Sequence, residues 1–174
     1  MLTERNFIMN NENNNAAATA QIPGIEKYLA DFREQMEKWQ CAMPDTVPLV
    51  SDFDLGDFMK TGLIEVWIVN EMEGGYCGKY LFCFDGQTCP SHMHKEKLET
   101  FFIVQGQVSM TYDGKTFVMN PGDTLQVERG HYHSFTGIGP ALILECSTPC
   151  TDDDDFFEDA AIPVGGDFLT FKDK

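Results

Sequence analysis

The stretch from Gly86 to Gly106 constrains this chain most, because it combines closely spaced metal-ligand residue types with a glycine at each end. His92 and His94 are separated by one residue, and alternate side chains of an extended strand point to the same face. Glu99 follows five positions after His94 and reaches the same point if the intervening segment bends. The sequence therefore predicts a cation held by two imidazoles and a carboxylate.

A further imidazole is expected from the segment Gly130–His133, which offers His131 and His133 after the turn residues Asn120–Asp123. Histidines and one carboxylate together suit a divalent first-row metal that keeps coordination positions open for water or substrate. An isolated H-x-H pair is more often solvent-exposed than a ligand set. Here the flanking glycines, the acid and the later histidine favour a metal site.

This arrangement resembles the first motif of the cupin superfamily: glycine, five residues, H-x-H, three or four residues, glutamate, six residues, glycine. The chain matches every fixed position of it from Gly86 to Gly106. The second cupin motif is matched at Gly122, Gly130 and His133. Glu128 stands where that motif has proline, and Gly137 where it has asparagine. The resemblance implies that His133 is the fourth ligand and leaves His131 to face the substrate or support a ligand.

Length and charge limit the classes of function. A chain of 174 residues is the size of one domain with a proper core. Its formal net charge of −16 argues against nucleic acid and anionic membranes as partners, because phosphates would be repelled. Residues 1–22 carry charges and asparagines where a signal peptide has an apolar centre. We therefore expect a disordered leader over 1–22 and a cytoplasmic protein.

The cysteines give no sign of a second metal or redox motif. None of the six is spaced C-x-x-C: they are Cys41, Cys77, Cys83, Cys89, Cys146 and Cys150. Because nothing indicates secretion, we expect reduced, partly buried thiols. Cys89 lies close to the metal motif, but no activating partner for a nucleophile is evident.

The clearest helix is predicted over Gly24–Gln40, with Pro23 suited to its start. Its apolar residues recur at three- and four-residue intervals: Ile25, Tyr28, Leu29, Phe32, Met36 and Trp39. We expect this stripe to pack on the rest of the domain or on a second subunit. The helix belongs to a predicted helical extension over 23–60, with one or two more helical turns within Ser51–Lys60.

From residue 61 to 150 the chain is predicted to form short strands separated by turns. The strands are Leu63–Val69, Gly78–Phe84, Glu99–Val104, Gln107–Tyr112, Lys115–Met119, Thr124–Glu128 and Ala141–Cys146. Such strands favour a sandwich or small barrel, and the cupin resemblance selects the double-stranded β-helix, or jelly roll. The predicted fold class is thus all-β, a jelly roll with an N-terminal helix. In the final segment, 151–174, the acidic run Asp152–Asp155 is expected to be a solvated loop whose neighbouring phenylalanines dock on the barrel.

Two charged residues are candidates for chemistry. Lys97 shares strand parity with Glu99, so its ammonium either points into the barrel or belongs to a surface loop. Glu145 lies in the otherwise apolar strand Ala141–Cys146. A carboxylate there lies at an exposed strand end or faces the cavity, where it could act as an acid or base. We favour the cavity.

The segments H-M-H-K-E-K-L-E-T-F and A-L-I-L-E-C-S-T-P resemble the cupin sugar isomerases of the D-lyxose isomerase type. The resemblance implies aldose–ketose isomerisation through a cis-enediol. A divalent ion, Mn²⁺ before Zn²⁺, Fe²⁺ or Ni²⁺, would be held by His92, His94, Glu99 and His133. Glu145 would move the proton between C1 and C2, and Lys97 would stabilise the enediolate oxygen.

Tyr80 and Phe101 are expected to form aromatic walls for a small sugar, and cupins are commonly dimers, which favours a homodimer. Two other functions stay open at this point. A cupin dioxygenase would use iron or nickel with an enediol or flavonol substrate, and would need no inward acid–base pair. A non-catalytic module would bind metal or sugar without turnover.

Overall fold

The computed structural model describes residues 22–151 and 153–165, so residues 1–21 of the predicted leader lie outside it, whereas Ile22 is buried in the apolar core. This part of the chain contains one helix, α1, and nine strands in a single sheet. The elements are α1 (Ile25–Lys38), β1 (Leu49–Ser51), β2 (Leu63–Glu71), β3 (Tyr76–Cys83), β4 (Thr88–Met93), β5 (Glu99–Tyr112), β6 (Lys115–Met119), β7 (Thr124–Val127), β8 (His133–Ser147) and β9 (Phe156–Phe157).

The long antiparallel pair of β5 and β8 forms the centre of the fold. Its register shifts between Ile103 and Gln107, and the strands bend there at Gly106, whose φ is 73°. A Cβ at residue 106 would lie 2.1 Å from the carbonyl oxygen of Pro140. Glycine therefore permits both the left-handed backbone and the close approach of the two strands.

Because of this bend, each half of β5 has a different second neighbour. The first half pairs with β7, and the second half pairs with β6. On its other edge β8 pairs with β3 and β4. These strands lie side by side in the sheet in the order β1-β2-β3-β8-β4-β9. The sheet curls on itself, which confirms the predicted all-β jelly roll with an N-terminal helix.

Most predicted strands are present, and Lys115–Met119 has the predicted bounds. The two strands predicted over 99–112 are one strand, because the bulge at Gln105 bends the pair without ending it. The strands β1, β4 and β9 were not among the predicted strands, nor was the first half of β8. The segment Ser51–Lys60 forms turns, with one helical hydrogen bond donated by the Thr61 amide to the Asp57 carbonyl. One or two helical turns were expected in this segment, and a single turn is observed.

The helix α1 covers the outer face of β2 and β3. Its apolar stripe packs on the protein's own sheet, where the ring of Phe32 lies 5.1 Å from that of Phe82. Phe32 and Met36 are buried, and each such burial stabilises the fold by about 1.5–3 kcal/mol. Among the described residues, no helix is long and apolar enough to cross a membrane.

A second apolar cluster fills the interior of the barrel. It includes Leu63, Leu81, Phe101 and Phe135, which line one side of a polar cavity. The strands β2 and β3 are thus buried on both faces, against α1 outside and against this cluster inside. The candidate site lies at the border between this apolar cluster and a group of buried charged side chains.

Candidate metal centre and active site

The four residues predicted as metal ligands meet at one point inside the barrel. Their ligand atoms all lie within 4.8 Å of one another, and all four side chains are buried: His92, His94, Glu99 and His133. The pairing of β4 with β8 places His92 directly opposite His133. The carboxylate begins β5, after the bend that the sequence analysis required.

Three of the candidate ligand atoms have unmet bonding capacity that a bound cation would satisfy. The Nε2 atoms of His133 and His94 lie 2.8 and 3.3 Å from Oε1 of Glu99. These three atoms are buried, yet none makes a hydrogen bond of acceptable geometry within the described part of the chain. Buried polar atoms without partners destabilise a fold unless something else satisfies them. The residues therefore fit a divalent metal ion.

Each histidine is oriented through its other ring nitrogen. The Nδ1 atom of His92 lies 2.8 Å from the Pro90 carbonyl oxygen, and that of His133 lies 3.2 Å from the His131 carbonyl oxygen. An imidazole that donates from Nδ1 presents the lone pair of Nε2 to a metal. Burial, with smaller contributions from the neighbouring histidines, holds the pKa of His92 well below its ordinary value, which favours the neutral form.

Lys97 and Glu145, whose orientation the sequence left open, both point into the barrel. They are only 6% and 2% exposed. The Nζ atom of Lys97 lies 2.9 Å from Oε2 of Glu99 and 3.3 Å from Oε1 of Glu145. The Ser147 hydroxyl donates to the same Glu145 oxygen at 2.9 Å. The lysine therefore links the group of candidate ligands to the candidate acid–base residue.

Two further charged residues in the cavity were not predicted. The Nζ atom of Lys79, on β3, lies 3.1 Å from Oε2 of Glu65 and 3.5 Å from Oε2 of Glu145. Both unpredicted side chains are buried. A lysine in the apolar strand Tyr76–Cys83 and a glutamate in Leu63–Glu71 were the signals that could have identified them.

These residues form a continuous line of alternating charge: Glu65, Lys79, Glu145, Lys97 and Glu99. Burial opposes the charged form of each lysine, but the nearby carboxylates, Glu145 first, outweigh it and hold both lysine pKa values well above the ordinary one. Burial would raise the pKa of Glu99, but Lys97 and His133 hold it well below its usual range. Burial raises the pKa of Glu65, opposed in part by Lys79.

The site opens into two adjoining hollows, and both are lined by Glu65, Lys79, Lys97 and Asp155. Phe101 lines one of these hollows. Tyr80 does not face the site. On β3 the inward positions are those of Lys79 and Leu81, so Tyr80 packs on the opposite face, in the cluster under α1.

His131 is also outside the candidate ligand group. Its ring is 44% exposed, stacks on Tyr112 and contacts the Asp113 carboxylate at the surface. Its only role near the ligands is the backbone carbonyl that accepts from His133. The ring turns outward because His131 precedes β8, whereas His133 begins the strand and faces the barrel.

Only part of the described acidic run is solvated: Asp153 is exposed, whereas Asp154 and Asp155 contact the rest of the domain. Asp154 is buried, and its carboxylate accepts hydrogen bonds from the backbone amides of residues 95, 96 and 97. Asp155 contacts His94. The expected docking of the phenylalanines is observed, since Phe156 and Phe157 pair with β4. All six cysteines are free thiols in this structure, and Cys146 is exposed.

Residues 84–146 match the family described as the cupin domain. The chain is 32% identical over 141 residues to D-lyxose/D-mannose isomerase of Thermosediminibacter oceani. The match covers 65% of this chain and 77% of that protein. The chain is 30% identical over 142 residues to D-lyxose ketol-isomerase of Cohnella laeviribosi, with 65% and 76% covered. It is also 29% identical over 132 residues to quercetin 2,3-dioxygenase of Bacillus subtilis, with 69% of this chain but only 36% of that protein covered.

Among solved structures, L-ribose isomerase of Acinetobacter sp. DL28 in complex with L-ribose superposes with a TM-score of 0.69. The match covers 80% of this chain and 93% of that one, at 14% sequence identity. At this identity the likeness shows a shared fold alone.

Proposed function

The chain belongs to the cupin sugar isomerase family of the D-lyxose isomerases, and we propose that it interconverts an aldose and its ketose at a divalent metal. The names of its two isomerase relatives support D-lyxose or D-mannose as the aldose. These sugars have the same configuration at C2, C3 and C4, so one site can recognise the reacting end of both. The observation that carries the proposal is the buried Lys97–Glu145 pair beside the candidate ligands.

In this proposal His92, His94, Glu99 and His133 hold the ion. The bound ion would hold and polarise the carbonyl and hydroxyl oxygens at C1 and C2 of the open-chain sugar. Glu145 takes the proton from C2 and returns it to C1, so the sugar passes through a cis-enediol. Lys97 donates a hydrogen bond to the oxygen on which negative charge develops.

The surroundings of Glu145 suit a base that moves one proton between neighbouring carbons. Ser147 and Lys97 contact one carboxylate oxygen, and Lys79 approaches the other. These contacts limit the rotation of the carboxylate, and positioning of the reacting groups is itself a large part of catalysis. The buried cavity also keeps the enediol away from bulk water.

Manganese is the proposed ion, although histidine and carboxylate ligands also serve zinc, iron and nickel. A homodimer in the cytoplasm is the proposed state of the protein. We also propose the domain limits that the sequence indicates: an N-terminal extension over 23–60, a barrel over 61–150 and a C-terminal segment over 151–174. Within the extension, the helix occupies Ile25–Lys38 and β1 joins the sheet.

A cupin dioxygenase is the second candidate, because the chain resembles the Bacillus subtilis quercetin dioxygenase over about a third of that protein's length. Oxygen activation needs a redox-active ion but no proton shuttle between two carbons. The Lys97–Glu145 pair therefore favours the isomerase.

The deciding experiment is an anaerobic isomerisation assay of metal-stripped protein with D-lyxose, D-mannose, D-xylose and D-ribose. Mn²⁺, Zn²⁺, Fe²⁺ and Ni²⁺ are added back in turn. We expect turnover of D-lyxose or D-mannose, restored best by Mn²⁺. Oxygen uptake with a flavonol in the iron or nickel sample, without isomerisation of any sugar, would instead support the dioxygenase.

The role of Glu145 is tested with Glu145→Gln, which keeps the shape of the side chain. We expect kcat to fall by about 10²–10⁴-fold while the bound metal is unchanged. Glu73→Gln is the matched control, because Glu73 is exposed on the turn between β2 and β3. Full activity of Glu145→Gln would show that another group moves the proton.

A further inference from the structure

The chain after β8 returns across the opening of the site. We call residues 154–157 the C-terminal clasp. Its last two residues form β9, which pairs with His92 and Met93 of β4. The ring of Phe157 lies 5.3 Å from that of His92 and 5.5 Å from that of Phe53. The clasp therefore covers candidate ligands that are about 60 residues earlier in the chain.

Asp154 fixes the loop between His94 and Glu99. Its Oδ1 accepts from the backbone amides of Lys95 at 2.9 Å and Glu96 at 3.1 Å, and its Oδ2 accepts from those of Glu96 at 3.0 Å and Lys97 at 2.8 Å. Three successive amides around one carboxylate form a backbone anion nest. One buried carboxylate thus sets the bend that brings His94 and Glu99 together.

Asp155 orients His94 itself. The Nδ1 atom of His94 lies 2.9 Å from Oδ1 of Asp155 and 2.9 Å from the Asp154 carbonyl oxygen. The Nε2 atom of the same ring is buried and has no hydrogen-bond partner among the described residues. It points to the other candidate ligand atoms. The Nδ1 atom of His94 therefore contacts the clasp, and its Nε2 atom is available to bind a metal.

The other two histidines lack a carboxylate at this position, since their Nδ1 atoms face backbone carbonyls. A carboxylate that accepts from a ligating imidazole fixes its tautomer and makes its other nitrogen a stronger donor. The clasp thus contributes one carboxylate that contacts a candidate metal ligand, and that ligand is His94.

We propose that the C-terminal clasp belongs to the metal site, with Asp155 as the positioning residue for His94 and Asp154 as the positioning residue for the 95–97 loop. The inference rests on the proposed function only in requiring a bound metal, not in requiring isomerisation. Removing either carboxylate weakens metal binding by about 10–100-fold.

The test measures the dissociation constant of Zn²⁺ and Mn²⁺ by competition with a chromophoric chelator, for the intact chain and three variants. Asp155→Asn and Asp154→Asn should each bind metal about 10–100-fold more weakly. Asp153→Asn is the matched control, because Asp153 is exposed and lies immediately before the clasp. Its affinity should equal that of the unmodified protein.

A second measurement separates positioning from general loss of structure. The chain has only four histidines, so ring ¹H–¹⁵N correlations of the zinc form resolve each one. We expect His94 to be protonated at Nδ1 in the unmodified protein and to lose that defined tautomer in Asp155→Asn, with His92 and His133 unchanged. Asp155→Glu should restore part of the affinity.

The outcomes are distinguishable. If the unmodified protein binds metal but Asp155→Asn has the same affinity and the same His94 signal, the role of the clasp is disproved and the proposed function stands. If affinity is lost with disruption of all four histidine signals, Asp155 is a general folding residue and the inference also fails. If the unmodified protein binds no metal, both proposals fail.

Discussion

The Nζ atom of Lys97 lies 3.3 Å from Oε1 of Glu145, although the two residues are 48 positions apart and both are buried. Lys97 lies just before β5 and Glu145 lies on β8, so the antiparallel pairing of these two strands brings the residues together. A buried charge pair contributes little net stability after desolvation. The position of this pair beside the candidate ligands is better explained by a role in catalysis than by a role in stability.

Replacing Lys97 by Met should remove the charge that stabilises the developing enediolate oxygen while keeping the length of the side chain. We expect kcat for D-lyxose to fall about 10²-fold or more, with metal still bound. Steady-state kinetics and metal analysis of the purified variant provide the measurement. Lys115→Met is the control because Lys115 is exposed on β6. A kcat within threefold of the unmodified value would exclude the proposed role.

The Glu65–Lys79 pair should be coupled energetically in the metal-free protein. Lys79→Met leaves the buried Glu65 carboxylate without a counter-charge, whereas Glu145 keeps Lys97, and the loss of one buried partner costs about 3–5 kcal/mol of unfolding free energy. The double variant with Glu65→Leu should lose less than the sum of the single losses, with a coupling of about 1–3 kcal/mol. Urea unfolding of the four proteins in the cycle measures it, and strictly additive losses would contradict it.

The sequence predicted features with local signals. The spacing of His92, His94 and Glu99 is readable because a strand and one bend determine where three nearby side chains point. The stripe of α1 is readable because its period matches a helix. The short strands are readable from their turn residues. These features suffice for the jelly roll and for the group of candidate ligands.

Other features depend on contacts between distant segments. Tyr80 and Lys79 are neighbours in a strand buried on both faces, so alternation alone could not tell which residue faces the cavity. Asp154 and Asp155 read as a solvated acidic run because their partners, the amides of 95–97 and the His94 ring, lie about 60 residues away. Only the folded chain shows that Asp154 is buried and that Asp155 contacts His94.

The cysteines should differ sharply in reactivity. Burial raises the pKa of Cys83 to about 12, and burial also raises that of Cys89 well above its ordinary value. The thiolate is the reactive form, and a raised pKa lowers its fraction at a given pH. At pH 8 we expect a disulfide reagent to modify the exposed Cys146 rapidly and to leave Cys83 and Cys89 unmodified.

Peptide mass spectrometry identifies the modified positions over time. Cys146→Ser should remove the fast phase, and all six thiols of the unmodified protein should react after unfolding in urea. Rapid modification of Cys83 in the folded protein would show that the β3–β8 pairing opens far more readily than its burial indicates.

The bend of the β5–β8 pair should depend on Gly106 for more than its backbone angle. Gly106 and Gly114 both have a φ of 73°, so alanine at either position adopts a left-handed conformation that costs about 1–2 kcal/mol. At Gly114 an added Cβ meets open space, whereas at Gly106 it would lie 2.1 Å from the Pro140 oxygen and 2.8 Å from Cα of Ala141. Relieving that overlap requires the central strands to separate, which costs about 1–3 kcal/mol more.

Urea unfolding of Gly106→Ala and Gly114→Ala compares the two positions directly, with the backbone angle matched. We expect Gly106→Ala to lose clearly more stability and also to bind metal more weakly, because the same strands carry Glu99 and His133. Equal losses of stability in the two variants would mean that the contact with Pro140 does not shape the barrel.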